Sequence, residues 1–355
     1  MSRPPQPTNI EAYNDMKIRF SLILILLVVF FLLNIIIGTV SIPLTEVVDT
    51  LFGSGSQASE VSRNIILKSR LPQAVTALAA GAGLSISGLQ MQTIFHNPLA
   101  SPSVLGISNG ASLGVALVVL LSGSIGGVAL SSLGIAGNAL LIVSAIIGSL
   151  SVMALILAIS QHVKGNATLL IIGVMIGYVA TAIIGVLKYF SNEEDIRAYV
   201  IWGLGSFSRV SAGQVWLFVG CMAVLTPLSM LLVKTMNLLL LGDQYAQNLG
   251  LNISRARLLV ISCSGIMVAI VTAYCGPIMF LGLAVPHLCR ALWHTNDNRV
   301  LMPASALTGS ALALVCNLIA RMPGMEGALP VNSVTALIGA PIVASVLYRQ
   351  KTDLM

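Results

Sequence analysis

Apolar runs of about 20 residues return repeatedly between residues 20 and 348, and each is long enough to cross a hydrocarbon layer of ~30 Å as a helix. Inside lipid the backbone has to satisfy its own hydrogen bonds, so runs of this length are helical. Strands of a barrel would be shorter and would alternate. With 8% charged residues, the 355-residue chain lacks the polar coat that a soluble domain of this size requires. The fold class is an all-α polytopic membrane protein.

The runs fall at 20–40, 74–94, 103–121, 133–159, 168–190, 213–233, 258–276, 301–320 and 334–348. A single helix from Leu258 to Trp293 would be about 54 Å long, far more than a bilayer needs. Gly276-Pro277 is the economical break, leaving a full span before it and a short one, 278–293, after it. The total is ten spans, with both termini on one side. Lys and Arg are in modest excess in the segments that share a side with the N-terminus, so that side is expected to be cytoplasmic. This explains the net charge of +6 without nucleic acid. The expected organisation is a cytoplasmic tail at 1–19, Pro-rich, polar and poorly ordered over 1–15, one transmembrane domain at 20–348, and a cytoplasmic tail at 349–355.

No span carries Asp, Glu, Lys or Arg at its middle. Ion-coupled carriers keep ionisable residues there, and voltage sensors need Arg-rich helices, so neither class fits. A channel or scaffold remains a further alternative. The five cysteines form no CxxC pair and read as small buried residues. Gly106, Gly110 and Gly114, and Gly173 and Gly177, form bare ridges suited to close helix packing. Spans two to five and seven to ten start on opposite sides, so any repeat relating them is inverted.

The stretch "GLQMQTIFHNPLASPSVLGISNGASLG", Gly88–Gly114, is uncharged and rich in Gly, Pro, Ser and Asn. Its His96-Asn97-Pro98 core stops one span, and Ser101-Pro102 starts the next. The turn either closes a tight helical hairpin or faces a partner. Together with "RLPQ" at Arg70–Gln73, "LLGDQYAQNLGLN" at Leu240–Asn252, "CGPIMFLGLAVPHLCRAL" at Cys275–Leu292 and "GALPVNSVTALIGAP" at Gly327–Pro341, it strongly resembles the permeases of the iron-siderophore, haem and cobalamin family of ABC importers. The resemblance runs from about residue 60 to 348, with its motifs in the right order.

The resemblance implies a homodimer, two ATP-hydrolysing subunits and a periplasmic substrate-binding protein, in the bacterial inner membrane. ATP and Mg²⁺ would sit on the partner subunit, since this chain has no G-x-x-x-x-G-K-[S/T] loop and binds no cofactor or metal of its own. The segment 240–252 would couple to the ATPase through Leu241, Gly242, Asp243, Gln244, Tyr245, Ala246, Leu249 and Gly250. On its own physics it is a short amphipathic helix stopped at Gly250 and lacking the Lys and Arg expected of a lipid-lying helix.

By the same resemblance, Lys164, Gly165, Asn166, Ala167 and Thr168 would line the cytoplasmic gate, with Thr168 as an alternative helix cap. Arg70 and Arg321 would dock the binding protein; membrane-edge snorkelling is the plain alternative. Where the family carries a second Arg, this chain has Gln73, so Arg63 or Lys68 would have to substitute. The outer segment Tyr189–Val210 should form a short helix ending at Gly203, with Glu193-Glu194-Asp195 a solvated charge run. His287 reads as a packing or hydrogen-bonding residue. With no outer cluster of His, Cys or Met to receive a bare ion, the cargo is expected to be a chelate or macrocycle; the resemblance implies a ferric siderophore, the family's commonest substrate class, with haem or cobalamin as alternatives.

Overall fold

The computed structural model describes residues 9–53, 59–125, 134–163, 165–323 and 328–352, and every regular element among them is helical. The first half comprises α1 (Asn9–Ile36), α2 (Leu44–Phe52), α3 (Glu60–Ile65), α4 (Leu71–Phe95), α5 (Ile107–Ile125), α6 (Gly134–Ser160) and α7 (Asn166–Tyr189). The second half comprises α8 (Glu193–Gly203), α9 (Val215–Met230), α10 (Val233–Leu239), α11 (Asp243–Asn248), α12 (Ile253–Cys275), α13 (Leu281–Trp293), α14 (Asn298–Ala320) and α15 (Val331–Thr352). Among the described residues six helices are long and apolar enough to cross a membrane, and α9 with α10, bent by 48°, makes a seventh. The shorter apolar stretches of α5 and α15, with the 13-residue α13 behind the α12 break, bring the spans to about ten.

Three boundaries differ from expectation. Residues 9–19, assigned to the tail, are helical, because nothing between Pro7 and Gly38 breaks the helix and α1 continues past the apolar run. A π-helical turn at Ile66–Arg70 joins α3 to α4, so this span is one continuous 36-residue rod from Glu60 to Phe95. Helix α7 starts at Asn166 behind an extended Gly165, which places Thr168 inside the first turn and not at the cap. The expected break at Gly276-Pro277 is present. Helix α12 stops at Gly276 (φ 78°), and α13 starts after Phe280 (φ 68°).

Helix α4 is the axis of the bundle, buried along most of its length against α14, α12, α13 and α9. The packing has a two-fold pattern. α5 packs on α6 and α7 as α13 packs on α14 and α15; α4 packs on α14 and α13 as α12 packs on α6 and α5; and α4 meets α12 directly. Exchanging spans two to five with seven to ten preserves these pairs, as an inverted repeat requires. The breaks correspond too: α5 follows Gly106 (φ 79°) as α13 follows Phe280 (φ 68°).

Lipid removes the hydrophobic drive for helix association, so close packing and buried polar contacts hold such a bundle. Where α5 crosses α6, a Cβ on Gly148 would stand 2.1 Å from the Gly110 carbonyl oxygen. The polar contacts include Asn34 of α1, fully buried, whose Nδ2 donates to the carbonyls of Phe30 (2.8 Å) and Leu314 (2.9 Å). Its Oδ1 accepts from Asn317 Nδ2 at 2.8 Å, tying α1 to α14. All five cysteines are free and four are buried.

Candidate functional site

The coupling candidates form a compact projection between α10 and α12. Leu241 turns into Gly242 (φ 95°), α11 follows, and Gly250 (φ 87°) ends it. These two positive φ values lie where L side chains are strained, so glycine shapes the projection at both ends. Ala246 faces inward, fully buried, and its carbonyl accepts from Leu251 N–H. Asp243 is held by Arg257 at 2.6 Å. Leu241, Tyr245 and Leu249 all point outward, 57%, 70% and 62% exposed. Gln244 lies beside them on the same short helix. Tyr245 on the six-residue helix and Leu241 and Leu249 just outside its two ends thus leave three large side chains exposed together.

The gate candidates sit at the start of α7. Gly165, Ala167 and Thr168 are exposed, and Lys164 lies outside the described residues. Asn166 reaches across to the end of α4, donating from Nδ2 to the Ile94 carbonyl at 3.1 Å. A cavity of about 320 Å³ opens here, lined by His96, Pro98, Asn166, Ala167, Leu170 and Ile171 among others. From it, α7 presents Ile171, Met175, Tyr178, Val179 and Val186 as an exposed, uncharged face. His287 Nε2 donates to the Pro98 carbonyl at 2.7 Å, which fixes the His96–Pro98 turn against α13 and makes this histidine a hydrogen-bonding residue.

Helix α14 links the two ends of the molecule. Asp297 caps its start and accepts from Asn237 of α10 at 2.6 Å. Its 23 residues span about 35 Å to Arg321. There Arg321 and Arg70 converge on a cavity of about 340 Å³ that also holds Gln73, Ser206, Ser208 and Asn317. Arg70 is 1% exposed and donates from Nη1 to the carbonyls of Ile35 (2.9 Å) and Ile36 (2.5 Å), and from Nη2 to that of Val40. It therefore clamps the frayed end of α1. Arg321 is less buried, and its Nη1 has no hydrogen-bond partner among the described residues. Burial, and then the adjacent Arg70 charge, push the Arg321 guanidinium down to about 10. Arg63 and Lys68 are exposed and line no part of this cavity.

Helix α8 ends at Gly203 as expected, and the turn after it docks on the α12 break, Ser206 N–H donating to the Cys275 carbonyl at 2.7 Å. Glu193 and Glu194 are exposed, but Asp195 is buried, so the charge run is not wholly solvated. The reason is helical phase: Asp195 shares the inward face with Tyr199 and Trp202. Among the described residues no cluster of His, Cys, Asp and Glu could hold a metal ion. Sequence reasoning treated His96 as part of a helix stop and missed its contacts with Leu239 and Asn166. The available signal was a bulky residue at the point where the chain must turn left-handed before Asn97-Pro98.

Residues 26–349 match the FecCD transport family. A vitamin B12 import system permease protein of Serratia proteamaculans is 35% identical over 296 residues, covering 83% of this chain and 85% of the relative. A hemin transport system permease protein of Yersinia pestis is 32% identical over 336 residues, covering 94% and 96%. Among solved structures, an inward-facing metal-chelate type ABC transporter superposes with a TM-score of 0.79 at 30% identity, covering 94% of this chain and 99% of that one. With the family match running through almost all the spans, and the projecting α11 and the two-fold bundle already in view, this chain belongs to the FecCD transport family, the multi-pass membrane permeases of ABC importers.

Proposed function

We propose that this permease imports a ferric siderophore across the bacterial inner membrane, as a homodimer driven by two ATP-hydrolysing subunits and fed by a periplasmic binding protein. The observation that carries the coupling assignment is the bare apolar surface of Leu241, Tyr245 and Leu249. It suits insertion of a short helix into a groove on the ATPase. ATP and Mg²⁺ act on that partner, and this chain transmits the movement. The gate is assigned to 164–168, and the docking of the binding protein to Arg321 with Arg70 beside it. Both termini are assigned to the cytoplasm, on the side of α11.

The uncharged face of α7 offers no site for stripping a metal from its chelator, which supports an intact chelate or macrocycle as cargo. Haem and cobalamin are the second reading, favoured by the cargoes for which the two relatives are named. The test is reconstitution with the ATPase and binding protein encoded beside this chain, adding ferric siderophore, haem or cobalamin in turn. The cargo that stimulates ATP turnover identifies the substrate, and Leu249→Asp should abolish the stimulation. Uptake that follows an ion gradient without ATP would overturn the assignment.

A further inference from the structure

Helix α4 ends in a conformation that residues with a Cβ rarely adopt. His96 sits at φ 48°, in the left-handed region that is strained for a residue with a Cβ. The following N–H groups still close the helix: His96 N–H donates to Thr93 and Asn97 N–H to Gln92. Glycine would make the same turn without strain, so the imidazole is kept where the backbone gains nothing from it.

The ring touches two other elements. Nε2 stands 2.8 Å from the carbonyl of Leu239, the last residue of α10 and the point where the chain enters the coupling projection. A carbonyl can only accept, so Nε2 carries the proton. In the neutral ring Nδ1 is then an acceptor, and Asn166 Nδ2 lies 3.4 Å from it. The second hydrogen of that amide is used on the Ile94 carbonyl at 3.1 Å. One planar ring, with no rotatable bond between its two nitrogens, thus spans the gap from the coupling projection to the first residue of α7. Leu239 is 1% exposed, so its carbonyl meets the imidazole and not solvent.

We propose that His96 is a positioning residue that transmits movement of the 240–252 segment to residues 165–168 at the start of α7. The proposal rests on the coupling and gate assignments made above. A rigid two-sided link moves both segments together, whereas either contact alone would let them slide.

The test measures maleimide modification of Ala167→Cys in the full complex with its ATPase, in a Cys221→Ala background, because the other four cysteines are buried. Rates are compared without nucleotide and with Mg·ATP plus vanadate. His96→Gly and His96→Asn both suit a left-handed turn; Asn keeps the reach to Asn166 but not to Leu239. Both should fold and, each measured against its own nucleotide-free rate, lose the nucleotide response by about five-fold or more, the lower end of coupling between linked sites. An unchanged response in His96→Gly overturns the proposal alone, and full response in His96→Asn overturns the two-sided link. A wild-type complex with no response, or one that Leu249→Asp leaves intact, overturns the coupling assignment itself.

Discussion

Arg70 and Arg321 meet over Gly38: a Cβ there would lie 3.0 Å from Arg321 Nη2 and 3.1 Å from Arg70 Nε. One arginine is occupied with backbone carbonyls and the other keeps a nitrogen free. Two like charges at one buried corner weaken the fold of the free permease, and the proposed docking of the binding protein would bring them negative charge.

Arg321→Gln should therefore raise the melting temperature of the isolated permease at neutral pH. The sign follows from its lowered pKa of about 10: the charged form is penalised in the fold, and stability rises as pH climbs through that value toward the unfolded one. The gain should shrink above it. The same variant should slow association of the binding protein and reduce its salt dependence, measured by surface plasmon resonance on nanodiscs.

Tyr245→Ala should leave the melting temperature of the permease nearly unchanged, because the side chain is 70% exposed. Its affinity for the ATPase should fall by about 2 kcal/mol, as for a buried aromatic anchor at an interface. Titration of the detergent-solubilised permease with ATPase, in parallel with thermal unfolding, separates the two effects.

Asn317→Leu leaves Asn34 Oδ1 without its donor in a fully buried setting. It should destabilise the bundle by about 1–3 kcal/mol. Replacing both residues by Leu should recover part of the loss, since two apolar groups leave nothing unsatisfied. Thermal unfolding of the two single variants and the double variant measures the coupling.

Gly148→Ala should be among the more damaging single-methyl changes, because its Cβ would sit 2.1 Å from the Gly110 carbonyl and force α5 from α6. A cost of about 1–3 kcal/mol is expected. Gly220→Ala is the control: nothing lies within 4 Å of a Cβ there, and it sits inside α9, so it should be neutral or stabilising. Thermal unfolding of both variants decides this.

The break at Gly276-Pro277, the stop at Gly203 and the apolar face of the 240–252 segment are all legible in the sequence. Each depends on local chemistry: glycine and proline punctuate helices, and apolar residues at helical spacing share a face. The clamp at Arg70 was not legible. In the sequence it is a basic residue beside a span, equally suited to docking or snorkelling, and only the frayed end of α1, some 30 residues earlier, shows what it holds. Asp195 misled in the same way, since three acidic residues in a row look solvated until helical phase turns one inward.

What the sequence determined by itself was the bundle of membrane-crossing helices, because lipid leaves a polar backbone no alternative and the apolar runs mark where each crossing lies. What only the tertiary structure decided was which groups from distant segments meet: Arg70 with Arg321 at one end, His96 between Leu239 and Asn166 at the other. Those meetings join residues separated by 70 to more than 200 positions, and sequence periodicity carries no information about a partner that far away. The close approach of helices at glycine, and hydrogen bonds across the resulting gaps, set them.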